Sequence, residues 1–321
     1  MSHSVFTRRS TLLAGFAAAC AGQNQRPGAP ADAIFRNLAT PSESAHCGVA
    51  SEDGTRRVTV RLCRYPDLGL AWVWVHARTP RGFFSYVDHL APCERAPAPE
   101  TPDRVRYADK DGALRFERDG PAARPARALI TGRCMARRTT DASLGRGDHA
   151  LDVSIDFTPA RLRAGLLEGR SEVFGRARAQ VSVDGERFDI AGPAQFHEQR
   201  QATARFTTPF SYVTLWGLDD AAMTLLVLPD QSGGYLLDGD RARGAKVQRL
   251  DPPGIARRRL VIALEDGTTL EGAADLVEGY TLPICGEPWR GHFVSVRLGD
   301  MRFHGNINDF MPHRFAYPGA T

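Results

Sequence analysis

Short runs in which apolar and polar residues alternate recur along most of the chain. A period of two is typical of strands that bury one face. Asp-Gly pairs follow several runs, at Asp53, Asp111, Asp184, Asp238 and Asp266, and this dipeptide favours tight type I′ hairpins. We therefore predict an all-β protein of antiparallel hairpins closed into barrels or sandwiches, in which only residues 159–168 have helical character. The clearest runs are residues 57–63, 70–77, 151–157, 177–183, 210–215, 222–228, 259–264 and 292–298.

The stretch 94–127 interrupts this rhythm because it is charged and rich in proline. An insertion of this length in a β domain is usually a flap over a cavity mouth or a solvated loop, and both interpretations stay open. Residues 105–108 and 114–117 flank Asp111-Gly112 and predict one hairpin within it.

The N-terminus has the order of a secretory signal. The pair Arg8-Arg9 precedes a short apolar run, 14–20, and small residues at 17–19 suit cleavage. Paired arginines favour twin-arginine (Tat) export, although a chance pair is the alternative. We predict a signal peptide over 1–20, a Pro/Gly/Ala-rich tether over 21–33, and a periplasmic protein. Lipid attachment at Cys20, with peripheral membrane association, is an alternative.

The charge pattern argues against nucleic acid as a partner. The 41 basic and 37 acidic residues give a net charge of only +4 and are interspersed, whereas phosphate binding needs a basic stripe. In an oxidising compartment we expect two disulfides and one leftover thiol, without a defined pairing. The cysteine spacings match no zinc motif, so we predict no metal site. The cysteines beyond the signal are Cys47, Cys63, Cys93, Cys134 and Cys285.

A polar stretch after a hairpin is the strongest sign of a site. If residues 196–201 form a strand, His197 and Gln199 share one face, and burying them is costly unless they meet partners, water or a ligand. Tyr212 and Trp216 share a face of the next run. A pocket walled by these four residues would be apolar with a few directed polar groups, as small-molecule sites are. A structural histidine, with Tyr212 and Trp216 as plain core, is the alternative.

Two further residues complete the candidate set. Trp74 alternates with Trp72 and His76, so these three could line the first barrel or simply fill its core. Asp219 follows Trp216 and could place a carboxyl at a barrel rim, where it would serve as an acid.

The region 173–216 carries a family resemblance. It shows a hairpin with an early glycine, a Val-Asp-Gly turn, an apolar-x-Gly exit, a histidine-containing polar stretch and an aromatic strand. It resembles the carotenoid 1,2-hydratase and AttH-like proteins, two-domain calycins, although Phe196 and Gln199 stand where those proteins commonly have Asp and Trp. The matching positions are Val173, Gly175, Val183, Asp184, Gly185, Ile190, Gly192, His197 and 210–216.

The resemblance implies two lipocalin-like domains, which we place at 34–191 and 192–321. It also implies that His197 is catalytic and that the substrate is a hydrophobic, isoprenoid-like or polyketide-like molecule. Hydration, isomerisation or cyclisation of a C=C bond would need no cofactor. A non-catalytic carrier of a hydrophobic ligand is the alternative, and a structural β-sandwich without a cavity is a third possibility.

Overall fold

The computed structural model describes residues 41–312 apart from 102, 122–124, 142–145, 168, 203–205, 207, 220, 240 and 285–286, and it does not describe the side chains of 161–168. The predicted signal peptide, the tether, Cys20 and Cys285 therefore lie outside the described residues.

The first half of the chain forms one antiparallel sheet of eleven strands in the order β4-β3-β2-β1-β11-β10-β9-β8-β7-β6-β5. A bridge between Ser85 of β4 and Arg137, just after β8, shows that the sheet curls back on itself. A 3₁₀ turn, Pro66–Leu68, links β2 to β3. The strands are β1 (Ser42–Ala50), β2 (Arg57–Tyr65), β3 (Leu70–Thr79), β4 (Gly82–Pro92), β5 (Glu100–Thr101), β6 (Arg104–Ala108), β7 (Leu114–Asp119), β8 (Arg127–Ala136), β9 (His149–Leu167), β10 (Arg170–Val183) and β11 (Glu186–Gln201).

The second half closes into an eight-stranded antiparallel barrel, in which each strand pairs with the next and β19 returns to β12. The two units together are the two lipocalin-like β domains that the sequence predicts. The strands are β12 (Phe210–Gly217), β13 (Ala222–Val227), β14 (Ser232–Asp238), β15 (Arg241–Leu250), β16 (Arg257–Leu264), β17 (Thr269–Ile284), β18 (Glu287–Leu298) and β19 (Met301–Phe310).

The five Asp-Gly pairs named above lie in turns between consecutive strands, and each of their glycines has a positive φ. Among the described residues, Asp184 is the only aspartate of the five that also has a positive φ, at 52°. A type I′ turn needs positive φ at both central residues. The hairpins are therefore confirmed, but only Asp184-Gly185 has the predicted turn chemistry.

Two local predictions are wrong. Residues 159–167, expected to be helical, continue strand β9, which pairs with β10 up to Leu167. The charged stretch 94–127 is neither a flap nor a solvated loop, because β5, β6 and β7 extend the sheet and bury Tyr107 and Phe116. The hairpin around Asp111-Gly112 is present, with Tyr107 opposite Phe116.

The predicted domain boundary also differs from the structure. Residue 192 lies in the middle of β11, where Gly192 pairs with Ala177 of β10. The chain leaves the first sheet only after Gln201 and enters the barrel at Phe210. Tertiary pairing moves the boundary because the polar stretch 196–201 completes the first sheet next to β1.

Each unit has its own interior core, and further apolar clusters lie between the units. Successive residues of β11 point to opposite faces of the sheet, so Phe196 packs inside the first unit while His197 points towards the barrel. The barrel interior is filled by residues such as Val213, Leu215 and Ile307. The face between the units contains all four tryptophans of the chain, Trp72, Trp74, Trp216 and Trp289.

The predicted disulfides are absent among the described cysteines. Cys47, Cys63, Cys93 and Cys134 are free and buried. Burial raises the pKa of the Cys134 thiol to about 12, and it also raises the pKa values of Cys47 and Cys93. The thiols therefore behave as small apolar core residues.

Candidate functional site

A row of side chains crosses five strands on the sheet face that meets the barrel. Trp74 pairs with Arg61, Arg61 with His46, His46 with His197, and His197 with Glu172. Residues directly opposite each other in paired strands share a face. The strand register therefore lines up an aromatic ring, a guanidinium, two imidazoles and a carboxylate.

The two neighbouring rows add more polar groups. On one side, Gln195 lies opposite Gly48, and Gly48 lies opposite Thr59. On the other side, Gln199 lies between Ser44 and Arg170. A polar patch thus occupies the middle of the sheet face that meets the barrel.

The two histidines of the row are stacked, and His46 is electrically neutral at neutral pH. The rings of His46 and His197 have centroids 4.8 Å apart at 18°, and Nε2 of His46 lies 2.8 Å from Oγ1 of Thr59. Burial lowers the pKa of His46 to about 3, and the positive charges of Arg61 and Arg170 add to the shift. At neutral pH this imidazole is a hydrogen-bonding group and not a proton source.

Glu172 is the buried carboxylate of the site, and its side chain is 0% exposed. It accepts hydrogen bonds from Tyr212, from Arg170, and from the hydroxyl of Tyr235 at 2.6 Å. Burial alone would raise the pKa of Glu172, but Arg170 and the two hydroxyls lower it in net. The carboxylate is therefore ionised, and Tyr212 and Tyr235 stay protonated because burial raises their pKa values.

Arg170 connects this carboxylate to the rest of the patch. Its Nη1 donates to Oε1 of Gln199 at 3.1 Å, and its guanidinium lies 4.9 Å from the centre of the Tyr212 ring. Arg170 and Glu172 belong to the sheet, whereas Tyr212 and Tyr235 belong to the barrel. The ion pair and its hydroxyl donors therefore connect the two units directly.

The barrel wall opposite the patch is built from β12 and its neighbours. Tyr212, Thr214 and Trp216 alternate along β12 and share the outer face. Trp216 lies over Gly48, where a Cβ would be only 2.4 Å from Cη2 of the indole. The missing side chain at position 48 is thus what lets the indole approach the sheet.

Aromatic side chains surround the polar patch. On one side, Trp74 contacts Trp289 with ring centroids 5.7 Å apart, and His76 stacks on Tyr280 at 4.2 Å. On the other side, Phe174 meets the ring of Tyr235 edge-on at 6.5 Å. An apolar surround with a few directed polar groups is the make-up of a small-molecule site.

The structure brings most of the predicted site residues together. His197 is 5% exposed, Gln199 and Tyr212 are partly buried, and Trp216 covers the next row, so these four border one patch. Trp74 lies at the far end of the row, where its Nε1 donates to His89 Nε2 at 2.8 Å. It faces the barrel, not the interior of the first unit.

Asp219 is not part of this patch. It is exposed in the turn after β12, beyond Trp216, because the barrel wall has already ended at Gly217. The carboxylate of the site is Glu172, which the sequence analysis missed. A signal for it existed, since counting back from the Asp184-Gly185 turn places Glu172 opposite His197.

No group of three or more His, Cys, Asp or Glu side chains in the described parts of the chain could hold a metal ion. Within those same parts, no helix has the length and apolar character needed to cross a bilayer.

Solved structures share this architecture. CghA crystallised with Sch210972 aligns with a TM-score of 0.57 and 13% identity over 85% of this chain and 89% of that one. An AttH-like protein from Nitrosomonas europaea aligns with a TM-score of 0.56 and 12% identity over 91% and 98%. The chain has the two-domain calycin fold of the AttH-like proteins.

A second structure of CghA gives the same AttH-like fold, with a TM-score of 0.54 and 12% identity over 87% of this chain. No protein-family model matches the sequence, and no curated protein matches it significantly. The likeness to the AttH-like proteins is therefore one of architecture.

Proposed function

We propose that the protein is a calycin-like enzyme that acts on a hydrophobic small molecule between its two units. The observation that carries this proposal is the row His46, His197 and Glu172, a line of polar groups enclosed by aromatic side chains on a face that the barrel covers. Apolar residues at these positions would give a more stable contact if the face served only for packing, because a buried polar group destabilises the fold unless it is fully hydrogen-bonded.

The shape of the surroundings supports an extended apolar substrate. Trp74, Trp289, Tyr280 and Phe293 form one aromatic cluster at the interface, and Phe174, Trp216 and Tyr235 form another. An isoprenoid-like or polyketide-like skeleton would contact both clusters while its functional group reached the polar patch. CghA, which has the same fold, was crystallised with Sch210972.

The ionisation states favour one reaction class over another. Hydration of an isolated alkene needs a strong acid, yet Glu172 is held ionised and His46 is held neutral. Neutral imidazole and tyrosine hydroxyl groups can instead polarise an oxygen function and relay a proton over a short distance. We therefore favour isomerisation or cyclisation of a C=C system, with His197 and His46 next to the reacting atoms.

A carrier remains the second candidate, because the same surroundings would retain a ligand without changing it. Native mass spectrometry of protein purified from its own host should show a retained apolar ligand in both cases. A turnover product that His197→Ala abolishes, while the variant keeps its melting temperature and its ligand, supports the enzyme. His149→Ala, at the start of β9, is the matched control.

Two results would count against the function. If the protein neither retains an apolar ligand nor binds an added one, the enzyme and carrier hypotheses are both refuted. Loss of folding in both His197→Ala and His197→Gln would make the histidine a structural residue.

We also propose that the protein is exported through the Tat route, on the strength of Arg8-Arg9 and the apolar run after them. Lysine at both positions should trap the precursor in the cytoplasm of the host. Fractionation with immunoblotting measures this, and continued export of the double variant would refute the Tat assignment.

A further inference from the structure

Four side chains between the units carry buried hydrogen-bonding atoms that no other described residue satisfies. The atoms are Nδ1 of His46, both amide atoms of Gln195, Nε1 of Trp216 and Oδ1 of Asn306. Gln195 is 0% exposed, and Trp216 and Asn306 are each 2% exposed. Leaving such a group unpaired destabilises the folded protein, and native proteins contain few such groups.

The strand register puts these atoms close together. Gln195 lies directly opposite Gly48, and the indole edge next to Nε1 of Trp216 lies over Gly48, with Cζ2 2.5 Å from where a Cβ would be. On the barrel wall, Asn306 pairs with Thr214, two residues before Trp216 on the same face. His46 is two residues before Gly48, on the same face of β1.

The protein's own groups in the patch do not complete this set. Burial raises the pKa of Tyr212, and Gln195 acts on it in the opposite direction, but the Gln195 amide forms no hydrogen bond of normal geometry with that hydroxyl. The Tyr212 hydroxyl donates its hydrogen bond to Glu172 instead. Glu172 in turn is already occupied by Arg170 and two tyrosines.

The chemistry of the four side chains is mixed and uncharged. Trp216 and the Gln195 amide nitrogen donate, whereas the Gln195 and Asn306 oxygens accept. A carboxylate or ammonium ligand would satisfy only half of them and would be buried at a high cost. A hydroxyl group both donates and accepts, so it can pair with a donor and an acceptor of this set at the same time.

We propose that the site takes an apolar ligand whose hydroxyl group is held between Gln195, Trp216 and Asn306. This inference rests on the proposed function and names the substrate class, an apolar alcohol. The hydroxyl would accept from the Trp216 indole or the Gln195 amide nitrogen and donate to the Gln195 or Asn306 oxygen.

Three retinoids with one isoprenoid skeleton test the proposal, namely retinol, the hydrocarbon anhydroretinol and retinoic acid. Binding is measured by quenching of the interface tryptophans. We expect retinol to bind about tenfold more tightly than anhydroretinol, which corresponds to one or two net hydrogen bonds. Gln195→Met should erase this preference while keeping hydrocarbon binding, and Gln180→Met, on the exposed face of β10, should keep it.

The outcomes separate the two claims. If none of the three retinoids binds, the hydroxyl site is refuted, while the native mass spectrometry described above decides the proposed function separately. If all three bind equally, the function stands and the hydroxyl site is refuted, with water alone filling the polar positions. A preference for retinoic acid would also refute it and would point to Arg61, the neighbour of His46 in the row.

Folding of the variant is checked separately. Gln195→Met removes an unpaired buried amide, so its melting temperature should be unchanged or higher. Should this variant fail to fold, Trp216→Phe removes the indole N–H and must reduce the preference for retinol if the proposal is right.

Discussion

Replacing Glu172 by glutamine tests whether the contact between the two units depends on a buried charge. The substitution keeps the size of the side chain but leaves Arg170, whose side chain is only 12% exposed, without its counter-ion. Breaking a buried ion pair by removing one partner costs about 3–5 kcal/mol. Glutamine still accepts hydrogen bonds through one oxygen, so we expect a loss of about 3 kcal/mol in the free energy of unfolding.

Tyr235→Phe removes one donor to the same carboxylate, the 2.6 Å hydrogen bond from the barrel. A hydrogen bond to a charged group contributes about 1.5–3 kcal/mol, and we expect a loss near the lower value. The double variant should lose less than the sum of the single ones, with a coupling energy of about 1 kcal/mol. That coupling would show that the two units share one electrostatic contact.

Urea unfolding followed by tryptophan fluorescence is a suitable assay, because all four tryptophans lie between the units. Glu271→Gln is the matched control, since Glu271 is 57% exposed and pairs with Arg259 on the surface of the barrel. Exposed pairs contribute about 0–1 kcal/mol. If Glu172→Gln cost no more than this control, the charge of Glu172 would not stabilise the interface.

Three further predictions follow from burial. Gly48→Ala should destabilise the protein by about 1–3 kcal/mol in urea, because its Cβ would lie 2.4 Å from Cη2 of Trp216; an unchanged midpoint would contradict the close approach. Burial lowers the pKa values of His46 and His76 from 6.5 to about 3, so the free energy of unfolding should be highest above about pH 6.5 and should fall at lower pH by about 1.4 kcal/mol per pH unit for each histidine. Melting temperatures between pH 7 and 4 measure this dependence, and His76→Gln should make it less steep. A melting temperature that does not change with pH would refute the prediction. The buried thiols, such as that of Cys134, should react with Ellman's reagent only after unfolding, so at least four more thiols should be titrated in urea than in buffer. The same number of reactive thiols in both solutions would contradict their burial.

Local sequence rules predict the hairpins well and the ends of the elements poorly. The Asp184-Gly185 turn, together with alternation on both sides, is enough to place His197 and Phe196 on opposite faces, as the structure has them. Local composition predicts a helix at residues 159–167 because it does not reveal that β10 pairs with this segment. The same applies to residue 192, where pairing of β11 with β1 keeps the chain in the first sheet.

The site was predicted only where its residues lie close together in the sequence. His197, Gln199, Tyr212 and Trp216 come from two consecutive strands, so alternation alone groups them. His46 joins them through pairing between strands that are about 150 residues apart in the chain, as the register of Ser44 with Gln199 shows. Such pairing depends on how the whole sheet closes, and no local pattern encodes it.

The location of the patch explains how polar side chains can be tolerated there at all. On an isolated sheet, His46, His197 and Glu172 would face water, and no apolar reaction environment would exist. The barrel covers them with its outer wall while its own interior remains filled. Arg170 and Tyr212 stay partly exposed at the edge of the covered region, and they also hold Glu172. One contact that stabilises the two units therefore also borders the site, so any widening of the site at this edge must weaken the Glu172 ion pair or its tyrosine hydrogen bonds.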